Sequence, residues 1–225
     1  VSTRVAVIIP AAGTGSRMGA PKPFLELAGR PVLERTLEPF LREPRVRWVV
    51  VALDAANVAQ PPAWLTARDG RIVIVPGGAD RTASVRCALD AVPMTAEVII
   101  VHDAARPLVS DALVRGAIDA AAAGRAVTAA VPLEDTIHVV DSDDRIVTTP
   151  ERGRLWRAQT PQAFPADRLR AAHRAASAAG ENATDDAALV ARWAGPVYVI
   201  EGERDNFKLT VPADLNMAEA LLRTR

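Results

Sequence analysis

Two cations lie within a glycine-rich stretch near the start of the chain. Pro10 to Phe24 reads PAAGTGSRMGAPKPF and carries Arg17 and Lys22 among Gly13, Gly15 and Gly19. Glycines allow tight turning and close backbone approach, and exposed amides beside fixed positive charge suit a phosphate chain. Similar chemistry recurs further on, in Pro76-Gly77-Gly78-Ala79-Asp80-Arg81 with Ser84 one turn later, and in Asp103-Ala104-Ala105-Arg106-Pro107. Only Lys22 and Lys208 are lysines, the other 25 basic residues being arginines. In such a chain two lysines mark places that need a compact point charge instead of a planar fork.

Two common phosphate loops do not fit. The dinucleotide fingerprint G-x-G-x-x-G meets Met18 at its third glycine, which also argues against a nicotinamide dehydrogenase. The triphosphate loop G-x-x-x-x-G-K-[ST] fails because Lys22 stands between Pro21 and Pro23, which should hold it in an extended loop away from a helix start. What remains, G-x-G-x-R-M followed by P-K-P, is similar to the loop of sugar-phosphate nucleotidyltransferases. A glycine turn with surface cations is the plain alternative.

These residues need strands to carry them. Val5–Ile9, Val46–Leu53, Arg71–Val75, Glu97–His102 and Ala126–Val131 are short apolar runs, separated by helical patterns at Pro31–Leu41, Arg81–Ala91 and Ser110–Ala123, with Ser110 as N-cap. This alternation predicts an α/β fold with a mostly parallel sheet covered by helices on both faces. Ligands of such sheets sit beyond the carboxyl ends of the strands, where three runs here end in glycines, Arg81, Asp103 and Arg106. Arg106 pairing only with Asp103, and Gly77-Gly78 acting only as a turn, are the structural alternatives.

The stretch 133–164 breaks the pattern. Thr136–Val140, the polar turn Asp141–Asp144 and Arg145–Thr149 predict an antiparallel hairpin, an arm over 133–158 with Thr136 and Arg152 near its base. It would grip a partner subunit or lie as a flap over its own. Beyond it, helices are expected at Ala166–Ala179, from Thr184-Asp185-Asp186 and from Ala213, with a strand at Val197–Ile200. One nucleotidyltransferase domain over 1–225 is expected.

The formal net charge of zero argues against nucleic acid or a basic membrane face as partner, and no apolar run reaches the roughly 18 residues of a membrane span. The start carries no signal-peptide pattern, so a cytoplasmic setting is expected. The single cysteine, Cys87, excludes an internal disulfide and is expected in the core, and three scattered histidines offer no zinc-type cluster.

The motifs together resemble the 2-C-methyl-D-erythritol 4-phosphate cytidylyltransferases of the non-mevalonate isoprenoid pathway. PAAGTGSRMGAPKPF, GGADRTASV, VHDAARP, LEDT, ERGRLWRAQTPQAF, NATDDA and RDNFKLT stand in that family's order along nearly the whole chain. The resemblance implies a Rossmann-like nucleotidyltransferase fold, a homodimer joined through the arm, and a Mg2+-dependent reaction of CTP with the polyol phosphate. It assigns Arg17 and Lys22 as transition-state stabilisers. Ala11, Ala12, Gly13, Gly15, Gly78, Arg81 and Ser84 fall around the nucleotide. Asp103, Ala104 and Arg106 form a shared nucleotide, metal and sugar edge, with Asp103 the metal ligand. Thr136 and Arg152 would reach the partner's sugar phosphate, with Thr160, Thr184 and Lys208 as further substrate contacts. Ala79 departs from the pattern, in which an acidic residue is frequent, and puts base selectivity in question. Another polyol phosphate, such as ribitol 5-phosphate, would use the same motifs, and a nucleotide-binding regulator without turnover is the reading from another class.

Such a reaction needs no general base. A phosphate monoester with its second pKa near 6 is already anionic, so the obstacle is repulsion between two anions. Arg17 and Lys22 would offset charge at the α-phosphoryl group, while Arg152 and Lys208 would hold the attacking monoester.

Overall fold

The computed structural model describes residues 2–13 and 21–224. Gly15 and Arg17 therefore lie outside the described residues. The elements run β1 (Val5–Pro10), β2 (Glu26–Leu27), β3 (Arg30–Pro31), α1 (Val32–Arg42), β4 (Val46–Leu53), α2 (Ala55–Ala59), α3 (Ala63–Thr66), β5 (Ile72–Pro76), α4 (Arg81–Ala91), β6 (Val98–Val101) and α5 (Asp111–Ala122). They continue with β7 (Ala126–Pro132), β8 (Val139–Val140), β9 (Ile146–Thr148), β10 (Trp156–Pro165), α6 (Ala166–Ala178), α7 (Asp186–Trp193), β11 (Val197–Glu201) and α8 (Pro212–Thr224).

Seven strands form one sheet in the order β11-β7-β10-β6-β1-β4-β5. All its pairings are parallel except those of β10, which runs against both β6 and β7. The sheet is covered on both faces, and β1 shows why its sequence has no polar side. Val5, Val7 and Ile9 join one apolar cluster with Leu33, Leu37 and Phe40 of α1 and Val114 and Ile118 of α5. Ala6 and Ile8 join the opposite cluster with Val85 and Leu89 of α4, Leu169 and Ala172 of α6, and Val190 of α7. A strand buried on both faces reads as an unbroken β-branched run. Burial of each such Val, Ile or Leu side chain is worth about 1.5–3 kcal/mol.

The topology brings the functional loops to one edge. From β1 the chain steps outward to β4 and β5, then returns to place β6 on the other side of β1. The crevice at this reversal lies between the loops after β1 and β6, the usual ligand position in open α/β sheets. Because β7 ends and β10 begins at the same edge, with Trp156 opposite Pro132, the arm also leaves the sheet there.

Four expectations are corrected. Strand β10 was hidden because Pro161 cannot donate to a ladder and Gln159, Thr160 and Gln162 interrupt the apolar pattern. The pairing with β7 is irregular between Ala158 and Gln162, and these polar residues are buried with hydrogen bonds. Lys22 is not extended, since it begins a 3-10 turn over Lys22–Phe24; the fixed φ of proline suits the entry to such a turn. Cys87 is exposed, because α4 turns Ser84, Val85, Ala88 and Leu89 inward and leaves position 87 on the solvent face. The expected antiparallel hairpin is present, but its strands are shorter than the runs 136–140 and 145–149, pairing over only two and three residues about a turn in which Asp141 Oδ1 accepts the amides of Asp143 and Arg145.

Candidate active site

The loop after β5 is shaped by its glycines and by the start of α4. A Cβ on Gly77 would lie 2.3 Å from the Cβ of Ala12, and one on Gly78 would lie 2.4 Å from that of Ala83. A side chain at Gly77 would push the loop off the turn after β1, and one at Gly78 would push it off the start of α4. Asp80 caps α4 by accepting the Ala83 amide at 2.7 Å. The Ser84 hydroxyl donates to the Asp80 carbonyl at 2.8 Å and accepts the Gly78 amide at 3.1 Å. Losing such a cap costs about 1 kcal/mol, so these bonds favour the loop conformation without a ligand.

Beside this loop lies a cavity of about 350 Å³ lined by Ala11, Ala12, Gly13, Lys22, Gly78, Ala79, Asp80, Arg81, Ser84, Asp103, Ala104 and Lys208, among others. Its lining comes from four chain segments that the sequence places far apart. Lys22 Nζ donates to the Leu209 carbonyl at 3.1 Å, which ties the first segment to the last. The Leu209 amide in turn donates to the Ala105 carbonyl at 2.8 Å, tying the last segment to the loop after β6.

Asp103 is the hub. Its carboxylate meets Arg81 Nε at 3.2 Å, Arg106 Nε at 3.2 Å and Lys208 Nζ at 3.1 Å, with the residue only 7% exposed. Burial alone would raise its pKa, but Lys208, Arg81 and Arg106 outweigh that and hold the carboxyl well below the usual carboxylate range. The Asp103 amide donates to Thr160 Oγ1 at 3.0 Å. That hydroxyl then donates to His102 Nδ1 at 3.0 Å, leaving the His102 Nε2 proton for the Arg106 carbonyl at 3.1 Å. Burial pushes the His102 pKa down to about 4, so this imidazole is a neutral link at neutral pH.

The structure brings together Ala11, Ala12, Gly13, Gly78, Arg81, Ser84, Asp103 and Ala104 with Lys22 and Lys208. Arg106 stands behind the wall, spending its guanidinium on Asp103, the Asn206 carbonyl and the Ala158 carbonyl. Thr160 is buried and serves Asp103 and His102, so its hydroxyl supports the wall. Thr136, Arg152 and Thr184 are exposed and do not line the cavity. At the departure noted above, Ala79 lines the cavity, and neighbouring Asp80 does not replace an acid there. Its carboxylate is used by the α4 cap and by Asn182 Nδ2 at 3.0 Å.

Sequence reasoning missed the buried polar groups behind this wall. Asn206 Nδ2 donates to the Thr160 carbonyl at 2.7 Å, and Gln159 Nε2 donates to the Glu203 carbonyl at 2.8 Å, fastening the loop that carries Lys208. Asp186 and His173 were missed as well, although a signal was present. Asp186 shares a helical stripe with Leu189 and Val190, and His173 shares one with Leu169, Ala172 and Ala176. A polar residue on an apolar stripe is a candidate buried partner.

Comparison with known proteins gives the family. The family model described as 2-C-methyl-D-erythritol 4-phosphate cytidylyltransferase matches residues 5–224. A protein of that name from Symbiobacterium thermophilum is 47% identical, over 97% of this chain and 92% of its own. One from Prochlorococcus marinus is 41% identical, over 97% of this chain and 98% of its own. The crystal structure of the enzyme of that name from Thermus thermophilus superposes with a TM-score of 0.83 at 39% identity, covering 98% of this chain and all of that one. The chain belongs to the 2-C-methyl-D-erythritol 4-phosphate cytidylyltransferase family.

Proposed function

We infer that this chain transfers the cytidylyl group of CTP to 2-C-methyl-D-erythritol 4-phosphate, releasing pyrophosphate and forming 4-diphosphocytidyl-2-C-methyl-D-erythritol. One observation carries the reading in physical terms: Lys22, Arg81, Asp103 and Lys208, from separate loops, line one cavity together with Gly13 and Gly78. The substrate monoester is the nucleophile, already anionic at neutral pH, and it attacks the α-phosphorus in line with the leaving pyrophosphate. Lys22 supplies charge at the phosphoryl group, and Arg17 supplies a second contact by the family resemblance. Lys208 and Arg152 hold the acceptor. Preorganised cations of this kind act without reorganisation when charge develops. Backbone groups of the Ala11–Gly13 turn and the Gly78 loop read the cytosine edge.

A magnesium ion fits this donor set. Among the described residues no cluster of three acidic, histidine or cysteine ligands could hold a metal alone. Magnesium normally takes one or two carboxylates and completes its shell with substrate phosphates and water, and Asp103 is a cavity-lining carboxylate in the required ionised state. When bound, the ion supplies charge neutralisation on the leaving pyrophosphate. We assign the arm to dimer formation with a second copy, supported by exposed Val139, Val140, Ile146 and Val147. No described helix is long and apolar enough to cross a membrane, and we place the reaction in the cytoplasm, where an exposed Cys87 thiol stays reduced.

Pyrophosphate release from CTP, measured with each polyol phosphate in turn, tests the reading. Turnover with 2-C-methyl-D-erythritol 4-phosphate that exceeds turnover with ribitol 5-phosphate supports it. Preference for the ribitol ester, or none with either, overturns it.

A further inference from the structure

Behind the cavity wall a line of ionisable side chains runs inward. Arg81 lines the cavity, yet its Nη1 donates inward to Asp186 Oδ2 at 2.7 Å while its Nε donates to Asp103 Oδ1 at 3.2 Å. Asp186, at the start of α7, is 1% exposed. Its second oxygen accepts Nε2 of His173 at 2.9 Å, and His173, on the inner face of α6, is 3% exposed. The carboxylate therefore places a proton on His173 Nε2, and Nδ1 is buried with no partner among the described residues.

The segment carrying Asp186 is sewn to the start of α4. Asn182 Nδ2 bonds Asp80 at 3.0 Å, Thr82 Oγ1 donates to the Ala183 carbonyl at 3.0 Å, and Arg81 bonds Asp186. Three successive residues of one segment are thus matched to three sites on the other. The two partners of Arg81 differ in what they are free to do. Asp103 faces the cavity and shares its oxygens among three cations, so a bound cation or phosphate redistributes those contacts. Asp186 is sealed from solvent and fixed by His173, so it cannot follow. An arginine held by a buried carboxylate keeps its direction when its exposed partner is exchanged.

Building on the function proposed above, we propose that Asp186, oriented by His173, is a positioning residue for the nucleotide step. It holds the Arg81 guanidinium against the triphosphate side of the cavity while Asp103 changes partners. Neither Asp186 nor His173 touches substrate; both act through Arg81. His173 contributes by supplying the hydrogen bond that keeps the Asp186 carboxylate turned toward Arg81.

Kinetics and binding of the full-length protein test this, with CTP affinity titrated separately from turnover. Asp186→Asn is expected to weaken CTP binding and kcat/KM for CTP about tenfold or more, while KM for the polyol phosphate stays within about twofold. In an Arg81→Gln background the same substitution should add less than about twofold, since its route to the nucleotide is already cut. His173→Gln, which retains an N–H donor, should stay near wild type, whereas His173→Leu should lose part of the CTP affinity. Four results overturn the proposal: a lowered melting temperature with CTP binding intact, equal damage toward both substrates, effects that multiply in the double variant, or an Arg81→Gln protein that binds CTP normally. Should Asp186→Asn alone fail to fold, the comparison of Arg81→Gln with the double variant, which removes both buried charges, decides the matter. A wild-type protein that binds CTP but transfers nothing would refute the proposed function and leave this titration to be read on its own.

Discussion

Asp103 and Arg152 are both assigned to one reaction, yet the structure holds them very differently. Asp103 is 7% exposed and bonded to three cations, and its amide is fastened through Thr160 to a buried imidazole. Arg152 is exposed at the base of the arm, with Nη1 donating to the Glu134 carbonyl at 2.6 Å. The contrast extends to their surroundings. Around the cavity, apolar side chains belong to continuous clusters, whereas on the arm Ile146 and Val147 are 60% and 64% exposed. Among the described residues, a single chain thus gathers Lys22, Arg81, Asp103 and Lys208 around one cavity and leaves Arg152 exposed on the arm, outside it. Apolar side chains left this exposed gain stability by burying against another surface, which is what supports the proposed pairing of the arm with a second copy.

The sharpest way to break this comparison is at Lys22. Lys22→Ala should lower kcat about 10²–10³-fold, the scale for losing one preorganised charge contact. Near-normal turnover would remove Lys22 from the chemistry. Mixing then tests whether the acceptor side comes from the partner. If it does, Lys22→Ala and Arg152→Ala proteins, each nearly inactive alone when the polyol phosphate is held below the wild-type KM, should recover about a quarter of wild-type activity after subunit exchange, because half the dimers are mixed and one of their two sites is intact. No recovery after verified exchange would place Arg152 on its own subunit's cavity.

Arg152→Ala on its own should raise KM for the polyol phosphate about 10- to 100-fold while CTP affinity is kept, as expected for loss of one charged contact to a phosphate. A large loss of CTP affinity would contradict the division between the two halves. A smaller effect is expected on the arm itself. Ile146→Glu should shift sedimentation toward monomer on dilution and leave CTP binding unchanged; an unshifted dimer would mean that the arm lies elsewhere. Chelating divalent metal should stop turnover without releasing bound CTP from the cation-lined wall, and full activity in chelator would remove Asp103 from metal binding.

The same division decides what the sequence could reveal. Strands β1, β4 and β6 were legible because both faces are buried and the apolar run says so. Gly13, Lys22, Gly78, Arg81 and Asp103 were legible because they follow strand-like runs, where the fold class puts ligands, whereas Lys208 was marked only by the scarcity of lysine and by the resemblance. Strand β10 was not legible: its pattern is set by buried hydrogen bonds of Gln159, Thr160 and Gln162 to distant segments, and no local period reports those. Thr160 shows the consequence. A resemblance put it among substrate contacts, but its hydroxyl is consumed inside the wall. Arg106 likewise proved to be held by Asp103, Asn206 and Ala158, a set that joins three segments of the chain. Cys87 was misjudged for a simpler reason, since an apolar helix segment has a solvent face too.

The last expected effect is on stability and not on turnover: it concerns acid and a group behind the cavity wall. His102 is fully buried, and burial holds its pKa down at about 4 against roughly 6.5 in the unfolded chain. Between those values the unfolded chain binds the proton and the folded chain does not, so stability rises with pH across the window. The contribution is complete above about pH 6.5 and is lost as pH falls toward 4, reaching about 3 kcal/mol for a shift of this size. Urea unfolding at pH 7 and pH 5 reads about half of that loss and stays above the pKa values of ordinary carboxylates. In His102→Gln, whose amide can donate to the Arg106 carbonyl and accept from Thr160, the difference between the two pH values should shrink. An equal pH dependence in the variant would show that His102 does not titrate in the unfolding equilibrium, and that the acid sensitivity of the wall comes from another group.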